Sequence, residues 1–497
     1  MEASLAGLLA EARPDRVAIV VPDGPSLTYA ELRVEIAMLA ETLATAGIQR
    51  TDRVAIALPN GAEAIVAVLA ASLAGVAAPL NPVLAEDEFR FFLRDVAAKA
   101  LIVAPDGGER ARRARPSDTL VVEYRLDGER RARLRGAVPF GASRTPVAPG
   151  PADEAIVLHS SGTTGRPKRV ALRNDQLVAS IGQIVSGYRL GPDDVGLAVM
   201  PLFHVHGIVA GALATLASGG TVVVPSHFNG LGFGRLVQEH RVSWYSAVPT
   251  IHQLVLARAR SDASDRSSLR FVRSASAKLP ASVREALGTA LGVPVIEAYG
   301  MTEAAHQIAS NPLDPTRSKP GTVGIGTGVD IAMMDEHGAL LLHGSEGEVV
   351  LRGPSVITRY DGNPAADAAS FSGGWFRTGD LGVLDADGYL TLVGRLKELI
   401  NRGGEKIAPA EIDEVLLAHP AVAEAVCFGV PHPSWGEEIE VAIVLRAEAS
   451  AEELVRYCRA HVAAFKVPKR VHLLDAIPRT ATGKIQRIAV ARQLQAA

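Results

Sequence analysis

Ser160-Ser161-Gly162-Thr163-Thr164-Gly165-Arg166-Pro167-Lys168 follows the apolar run Ala155-Ile156-Val157-Leu158. The run reads as a buried strand. Two glycines, with hydroxyl residues before and between them, make a turn whose backbone N–H groups can converge on an anion; Lys168 adds a positive charge at its exit. This is phosphate-binding chemistry, but it lacks the G-x-x-x-x-G-K-[ST] spacing of a Walker A loop. Alone, it could equally be a surface loop of small polar residues.

The flanking sequence decides the fold class. Val17 to Val21 reads as a strand, and Thr28 with Glu31 forms a T-x-x-E capping box that opens a helix through Leu43. Val54 to Leu58 and Ala100 to Ala104 read as strands, and Glu86 to Ala97 as an amphipathic helix. Beyond the loop, strands are expected at Thr221 to Val224, Trp244 to Val248, Phe271 to Ser274 and Val293 to Glu297. Strands alternating with helices imply parallel βαβ units. Arg110 to Pro151 is rich in Arg, Gly and Pro and reads as a loop-rich excursion. After Gly324, short strands with turn signals at Asp335 to Gly338 and Asp385 to Gly388 suggest antiparallel β structure. From about Leu396 a smaller α+β pattern follows, with helices at Pro409 to Leu417 and Ala451 to Ala463 and a strand at Glu440 to Leu445.

Composition narrows the function classes. With 497 residues the chain is too long for one small core. A net charge of -3 leaves no broad footprint for nucleic acid or an anionic membrane. Cys427 and Cys458 are the only cysteines, which is no disulfide framework and no metal spacing, and fits a reducing cytoplasm. The N-terminus lacks a signal-peptide pattern. The uncharged stretches Ala64 to Leu80 and Gly207 to Val224 are broken by Gly75 and Pro79, and by Gly219-Gly220, so buried helices running into strands are expected rather than membrane spans.

Four further segments join the loop in order: Tyr299-Gly300-Met301-Thr302-Glu303, Arg377-Thr378-Gly379-Asp380, Gly394-Arg395-Leu396-Lys397, and Pro478-Arg479-Thr480-Ala481-Thr482-Gly483-Lys484. Together they resemble the ordered core motifs of the adenylate-forming superfamily of AMP-binding acyl-CoA synthetases, luciferases and peptide-synthetase adenylation domains. The resemblance covers nearly the whole chain. It implies an α/β fold with a large N-terminal domain of αβ layers and a β subdomain (1–396), and a small mobile α+β C-terminal domain (397–497) with its hinge at Lys397. It also implies ATP-dependent activation of a carboxylic acid to an acyl-adenylate, then transfer to a thiol, with ATP, Mg2+ and CoA as cofactors.

Site residues follow from the same resemblance. Ser161, Gly162, Thr163, Thr164, Gly165 and Lys168 match the loop that cradles the leaving pyrophosphate. Thr302 matches a hydroxyl on the α-phosphate, and Glu303 the carboxylate that holds Mg2+. Tyr299 matches the aromatic that stacks on adenine; Asp380 and Arg395 match ribose contacts. Lys484 matches the catalytic lysine of adenylation, a role resting on electrostatic stabilisation. Gly404, Trp435, Phe465 and Lys466 resemble residues near the CoA tunnel. Outside this ordered set, Glu303 would read as a helix N-terminal acid, Asp380 as a turn residue and Arg395 as a surface charge.

Pro201-Leu202-Phe203-His204-Val205-His206-Gly207 resembles the segment beside the acyl pocket, with His204 at the gate of the carboxylate site. His-x-His could suggest a metal, but no further ligand cluster supports one. His206, Ser276 and His306 add polar groups that an apolar fatty-acyl tunnel would not welcome. His306 would share a helical face with Glu303 if a helix continues. Glu297 to Gly324 and Glu398 to Lys406 look similar to oxalate–CoA ligases, so oxalate or another small dicarboxylate is expected. Arg169 and Lys278 depart from the usual small or apolar residues. A carrier-protein thiol or a non-thiol nucleophile stays open as the acceptor. A non-catalytic nucleotide-binding protein is disfavoured by the intact Glu303, Asp380, Arg395 and Lys484. A dehydrogenase is disfavoured because no G-x-G-x-x-G opens an early βαβ unit.

Overall fold

The computed structural model describes residues 4–5, 7–22, 24–126, 133–135, 144–160, 167–259, 264–479 and 485–495. Among them, the first α-helix begins where the capping box places it. Thr28 Oγ1 accepts from Glu31 N at 3.2 Å, and Glu31 Oε2 accepts from Thr28 N at 2.9 Å. These bonds satisfy two donors that a helix start leaves orphaned, which is worth about 1 kcal/mol. The helix runs Tyr29–Thr45.

Two large sheets share the main core. One has seven strands, in the order Arg133–Arg135, Leu120–Glu123, Ala100–Val103, Arg53–Ala57, Val76–Pro79, Glu154–Ser160 and Lys168–Arg173. Its five inner strands pair parallel and its two edge strands antiparallel. The other has nine strands and centres on the parallel set Val17–Val20, Thr221–Val223, Val195–Leu197, Trp244–Ala247, Phe271–Ser274 and Val295–Met301. Ala62–Ala74, an almost wholly buried helix rich in Ala and Val, packs on the seven-stranded sheet and on Tyr29–Thr45. Small side chains let it pack closely on both neighbours. No helix among the described residues is long and apolar enough to cross a membrane.

Arg110 to Pro151 departs from the loop-rich expectation. Glu109–Ala114 is a helix, and Leu120–Glu123 continues the parallel sheet beside Ala100–Val103. The apolar Leu120-Val121-Val122 is too short to stand out against its Arg-rich surroundings. Gly207 to Val224 also differs in detail. It starts as a π-helix, His206–Leu213, in which Ala214 N donates to Val209 O, and passes through a short α-helix to a strand.

A third, antiparallel sheet carries Asp330–Met334, Glu346–Arg352, Trp375–Leu384 and Leu390–Arg395. The small C-terminal domain has its own core, around Ile400, Ile412, Val441 and Leu454. Its longest strand, Val422–His432, pairs with Gly436–Leu445; sequence periodicity missed the first and shortened the second.

Candidate active site

Thr378-Gly379-Asp380 lies within the strand Trp375–Leu384, not in a turn, and is held from behind. Thr378 Oγ1 donates to Val349 O at 2.7 Å, and Gly379 N to Glu348 Oε1 at 2.9 Å. Arg377 Nε donates to the other oxygen of Glu348 at 2.7 Å. Gly379 has φ +72°, a conformation glycine adopts without cost. Asp380 is thereby buried opposite Arg395 on the next strand, whose Nε lies 2.9 Å from Asp380 Oδ1. Tyr299 Oη donates to Asp380 Oδ2. Asp380 raises the Arg395 pKa, while burial and then Asp380 push the Tyr299 phenol well above its ordinary value. A carboxylate still has lone pairs beyond these two bonds for further donors.

Lys168, Glu303 and Tyr360 form a second group. Lys168 Nζ lies 4.3 Å from the Tyr360 ring centroid, and Tyr360 Oη donates to Glu303 Oε1 at 3.1 Å. Burial lowers the Lys168 pKa, with Glu303 opposing the shift and Lys397 adding to it. Ser161, Gly162, Thr163, Thr164, Gly165 and Lys484 lie outside the described residues.

Glu303 is not at a helix N-terminus, and no helix continues to His306. Thr302–Ala304 is one 3-10 turn, and His306–Ser310 returns as an antiparallel strand. The helix-face expectation therefore fails: Ala305 and His306 take φ +49° and +98°, which ends any helix. Gly300 permits the return, since a Cβ there would stand 2.0 Å from His306 O. Ser180 pins the turn, its Oγ donating to Ala305 O at 2.7 Å and accepting from Gln307 N at 3.1 Å.

The strand return carries His306 onto His206. The rings stack with centroids 4.9 Å apart. His206 Nδ1 lies 3.0 Å from Ser276 Oγ, and His206 Nε2 lies 2.7 Å from Ser246 Oγ. His206, Ser246 and His306 are buried. Ser276, at φ +72°, shares the backbone strain of His306. His204 does not join this group through any of these bonds; it packs on Phe203, with ring centroids 5.2 Å apart. Among the described residues no group of three or more His, Cys, Asp or Glu could hold a metal ion.

In the C-terminal domain, Arg402 gathers the other sequence-assigned residues. Its guanidinium lies 5.5 Å from the Trp435 ring centroid and donates to Phe465 O at 3.3 Å. Gly403 N donates to Trp435 O at 2.8 Å. Gly404 follows at φ +93° with open space around it. Lys466 Nζ pairs with Glu411 at 2.7 Å. Trp435 is 50% exposed. Lys397 is exposed on the short 3-10 turn Leu396–Glu398.

Both departures have structural roles. Arg169 alternates with Lys168 along its strand and points away from Glu303. Its Nε donates to Asp361 Oδ2 at 2.8 Å and its Nη1 to Asp95 O at 2.7 Å. Lys278 Nζ lies 2.8 Å from Glu414 Oε1.

Sequence reasoning missed Tyr360, Ser246, Gln307 and Arg273. The last had a signal: Phe271-Val272-Arg273-Ser274 places an arginine inside an apolar central strand.

Residues 9–361 match the family described as AMP-binding enzyme, and residues 411–484 match the AMP-binding enzyme C-terminal domain. The chain belongs to the AMP-binding enzyme family. Similar relatives of this AMP-binding enzyme include a protein named probable CoA ligase CCL9 from Humulus lupulus, 44% identical over 99% of this chain and 97% of its own. One named oxalate–CoA ligase, from Arabidopsis thaliana, is 43% identical over 98% of each chain. One named sulfoacetate–CoA ligase, from Cupriavidus necator, is 36% identical over 98% of this chain and 96% of its own. Among solved structures, ATP-bound MatB from Rhodopseudomonas palustris superposes with a TM-score of 0.90 at 31% identity, covering 100% of this chain and 99% of that one. The chain shares with that structure the AMP-binding enzyme fold, a large N-terminal domain of mixed αβ sheets with a small C-terminal domain.

Proposed function

We propose that this AMP-binding enzyme joins a small, doubly anionic acid, oxalate foremost, to the thiol of CoA at the expense of ATP. The observation that carries the choice of acid is the group of buried His206, His306 and Ser246 with partly buried Ser276. Burying this many hydrogen-bonding groups is unfavourable beside an alkyl chain and favourable beside carboxylate oxygens. The names of the relatives support the same reading, since oxalate and sulfoacetate are both short and carry two anionic groups.

In the first step a carboxylate oxygen of the acid bonds to the α-phosphorus of ATP. The bond from that phosphorus to the bridging oxygen breaks, and pyrophosphate leaves with its electron pair. In the second step the CoA sulfur, its proton lost to solvent, bonds to the acyl carbon. The acyl carbon–oxygen bond to AMP breaks and AMP leaves.

On this reading the loop 160–168 and Lys168 hold the departing phosphates, and Thr302 faces the α-phosphate. Tyr299, Asp380 and Arg395 hold the nucleoside, with Asp380 accepting from the ribose hydroxyls. Glu303 suits Mg2+: it is a buried single carboxylate, and its Oε1 is oriented by Tyr360. Mg2+ commonly takes one or two protein carboxylates and fills its shell with phosphate oxygens and water. When bound it neutralises phosphate charge. Lys484 stabilises the adenylation transition state, and His204 gates the acid. Lys397 is the hinge between residues 1–396 and 397–497, so that the surface around Gly404, Trp435, Phe465 and Lys466 serves the thiol step. A pyrophosphate-release panel tests the acid: oxalate and malonate should outrun long-chain and aryl acids, and the reverse order would overturn the proposal.

A further inference from the structure

Arg273 is a fully buried cation, 0% exposed, on the inner strand Phe271–Ser274. Among the described residues no carboxylate pairs with it. Its Nε donates to Tyr188 Oη, its Nη1 to Ser246 Oγ and its Nη2 to Gln307 Oε1, each at 2.8 Å. All three acceptors are neutral. Burying an arginine without a counter-charge is costly, and a chain that retains one gains most when an anion arrives nearby.

The hydrogen bonds have a direction. A guanidinium only donates, so Tyr188 and Ser246 must accept from it and pass their own protons onward. On one side, Tyr188 hands its proton to Ser310 Oγ, 2.7 Å away, and Ser310 donates to Asn311 O at 3.0 Å. That branch ends on a backbone carbonyl. On the other side, Ser246 is buried, and its Oγ lies 2.7 Å from His206 Nε2. If Nε2 accepts, the ring proton sits on Nδ1 and points to Ser276 Oγ at 3.0 Å. Ser276 then has its own proton to offer. This branch ends in the acid site.

Gln307 gives independent support. It is 1% exposed, and its Nε2 finds no hydrogen-bond partner among the described residues, although Oε1 of the same amide is held by Arg273. A buried amide with unused donors beside an unpaired cation is a setting for an anion.

We infer that Arg273 is a positioning residue for a dianionic acid: through Ser246 it orients His206 and Ser276 as hydrogen-bond donors and supplies the positive charge that offsets the acid's second anionic group. The inference rests on the proposed preference for small dianions. It differs from it in naming a residue that does not touch the acid.

The test compares oxalate with glycolate, a monoanion of the same carbon count, by pyrophosphate release in the full-length enzyme. Variants are Ser246→Ala, Arg273→Lys and Arg273→Gln, each checked by thermal unfolding. Ser246→Ala and Arg273→Gln should raise the KM for oxalate about tenfold or more while the KM for ATP stays within about twofold. The KM for glycolate should change little, and Arg273→Lys should restore part of the oxalate affinity. If Arg273→Gln does not fold, Ser246→Ala and Arg273→Lys decide the matter. The full wild-type oxalate preference retained in Ser246→Ala and Arg273→Lys, or an equal KM rise for both acids, overturns the role of Arg273 alone. A wild-type enzyme with no preference for oxalate over glycolate overturns both that role and the reading on which it rests.

Discussion

Lys278 Nζ lies 2.8 Å from Glu414 Oε1, and this bond ties the large domain to the small one, since Lys278 falls within the match over 9–361 and Glu414 within that over 411–484. Both side chains are more than a third exposed, so the pair is worth at most about 1 kcal/mol. Its consequence is conformational. Lys278→Glu places two like charges together and disfavours this domain arrangement. The ratio of the adenylation rate to the thioester rate should shift by about two- to fivefold, with little change in Tm. An unchanged ratio would show that the pair has no bearing on domain placement.

Arg169 stands next to the phosphate loop but is spent elsewhere. Its bonds to Asp361 and Asp95 join a network in which Arg53 reaches Glu154 at 2.8 Å and His159 reaches Asp95 at 2.9 Å. Arg169→Gly should therefore cost about 1–3 kcal/mol of stability, because Asp95 and Asp361 lose their shared partner. The KM for ATP should stay within about twofold. Denaturant titration and ATP kinetics separate the outcomes; an ATP defect at unaltered stability would make Arg169 a phosphate ligand.

Asp380→Asn removes the charge facing Arg395 while keeping the side chain's shape. The loss in kcat/KM for ATP should be on the order of 100-fold, since charge-assisted hydrogen bonds are involved. Tyr299→Phe keeps the ring and removes only the hydroxyl that donates to Asp380, so its loss should be far smaller than that of Tyr299→Ala. Equal losses in the two Tyr299 variants would argue against ring stacking.

His252 sets a pH limit on stability. It is fully buried against Tyr245, and burial lowers its pKa from 6.5 to about 4. The unfolded chain binds this proton more readily than the folded one, so stability rises with pH across the window. It is complete above about pH 6.5 and declines toward pH 4, by about 3 kcal/mol for this group. Urea midpoints at pH 7 and pH 4.5 should fall more steeply for wild type than for His252→Gln; parallel slopes would refute the assignment.

Lys484→Ala should abolish adenylate formation yet largely spare thioester formation from a supplied acyl-adenylate. Rapid-quench analysis of the two half-reactions distinguishes them, and loss of both would remove the lysine's assigned role.

Much of this was legible because short-range signals were strong. Thr28 and Glu31 wrote their helix start directly, and the parallel strands announced themselves as apolar runs between helices. Tyr299, Asp380 and Arg395 were recognisable as motif residues, yet their mutual bonds depend on pairings across 81 and 15 positions of chain. What escaped was set by long-range packing. His306 was placed on a helix because the tight return at Ala305 needs Gly300 and Ser180, residues with no local turn signature. Val422–His432 was missed because Gly429 and Pro431 interrupt its apolar run. Arg273 was overlooked although an arginine within an apolar strand is the kind of local conflict that marks a functional site.

The central claim is best tested by incubating the purified enzyme with ATP, Mg2+ and oxalate, with and without CoA, and quantifying AMP and the thioester by mass-resolved chromatography. The account predicts one AMP and one oxalyl thioester per ATP consumed, with turnover dependent on CoA. Sustained turnover without CoA, or no product from oxalate when long-chain or aryl acids react, would contradict it.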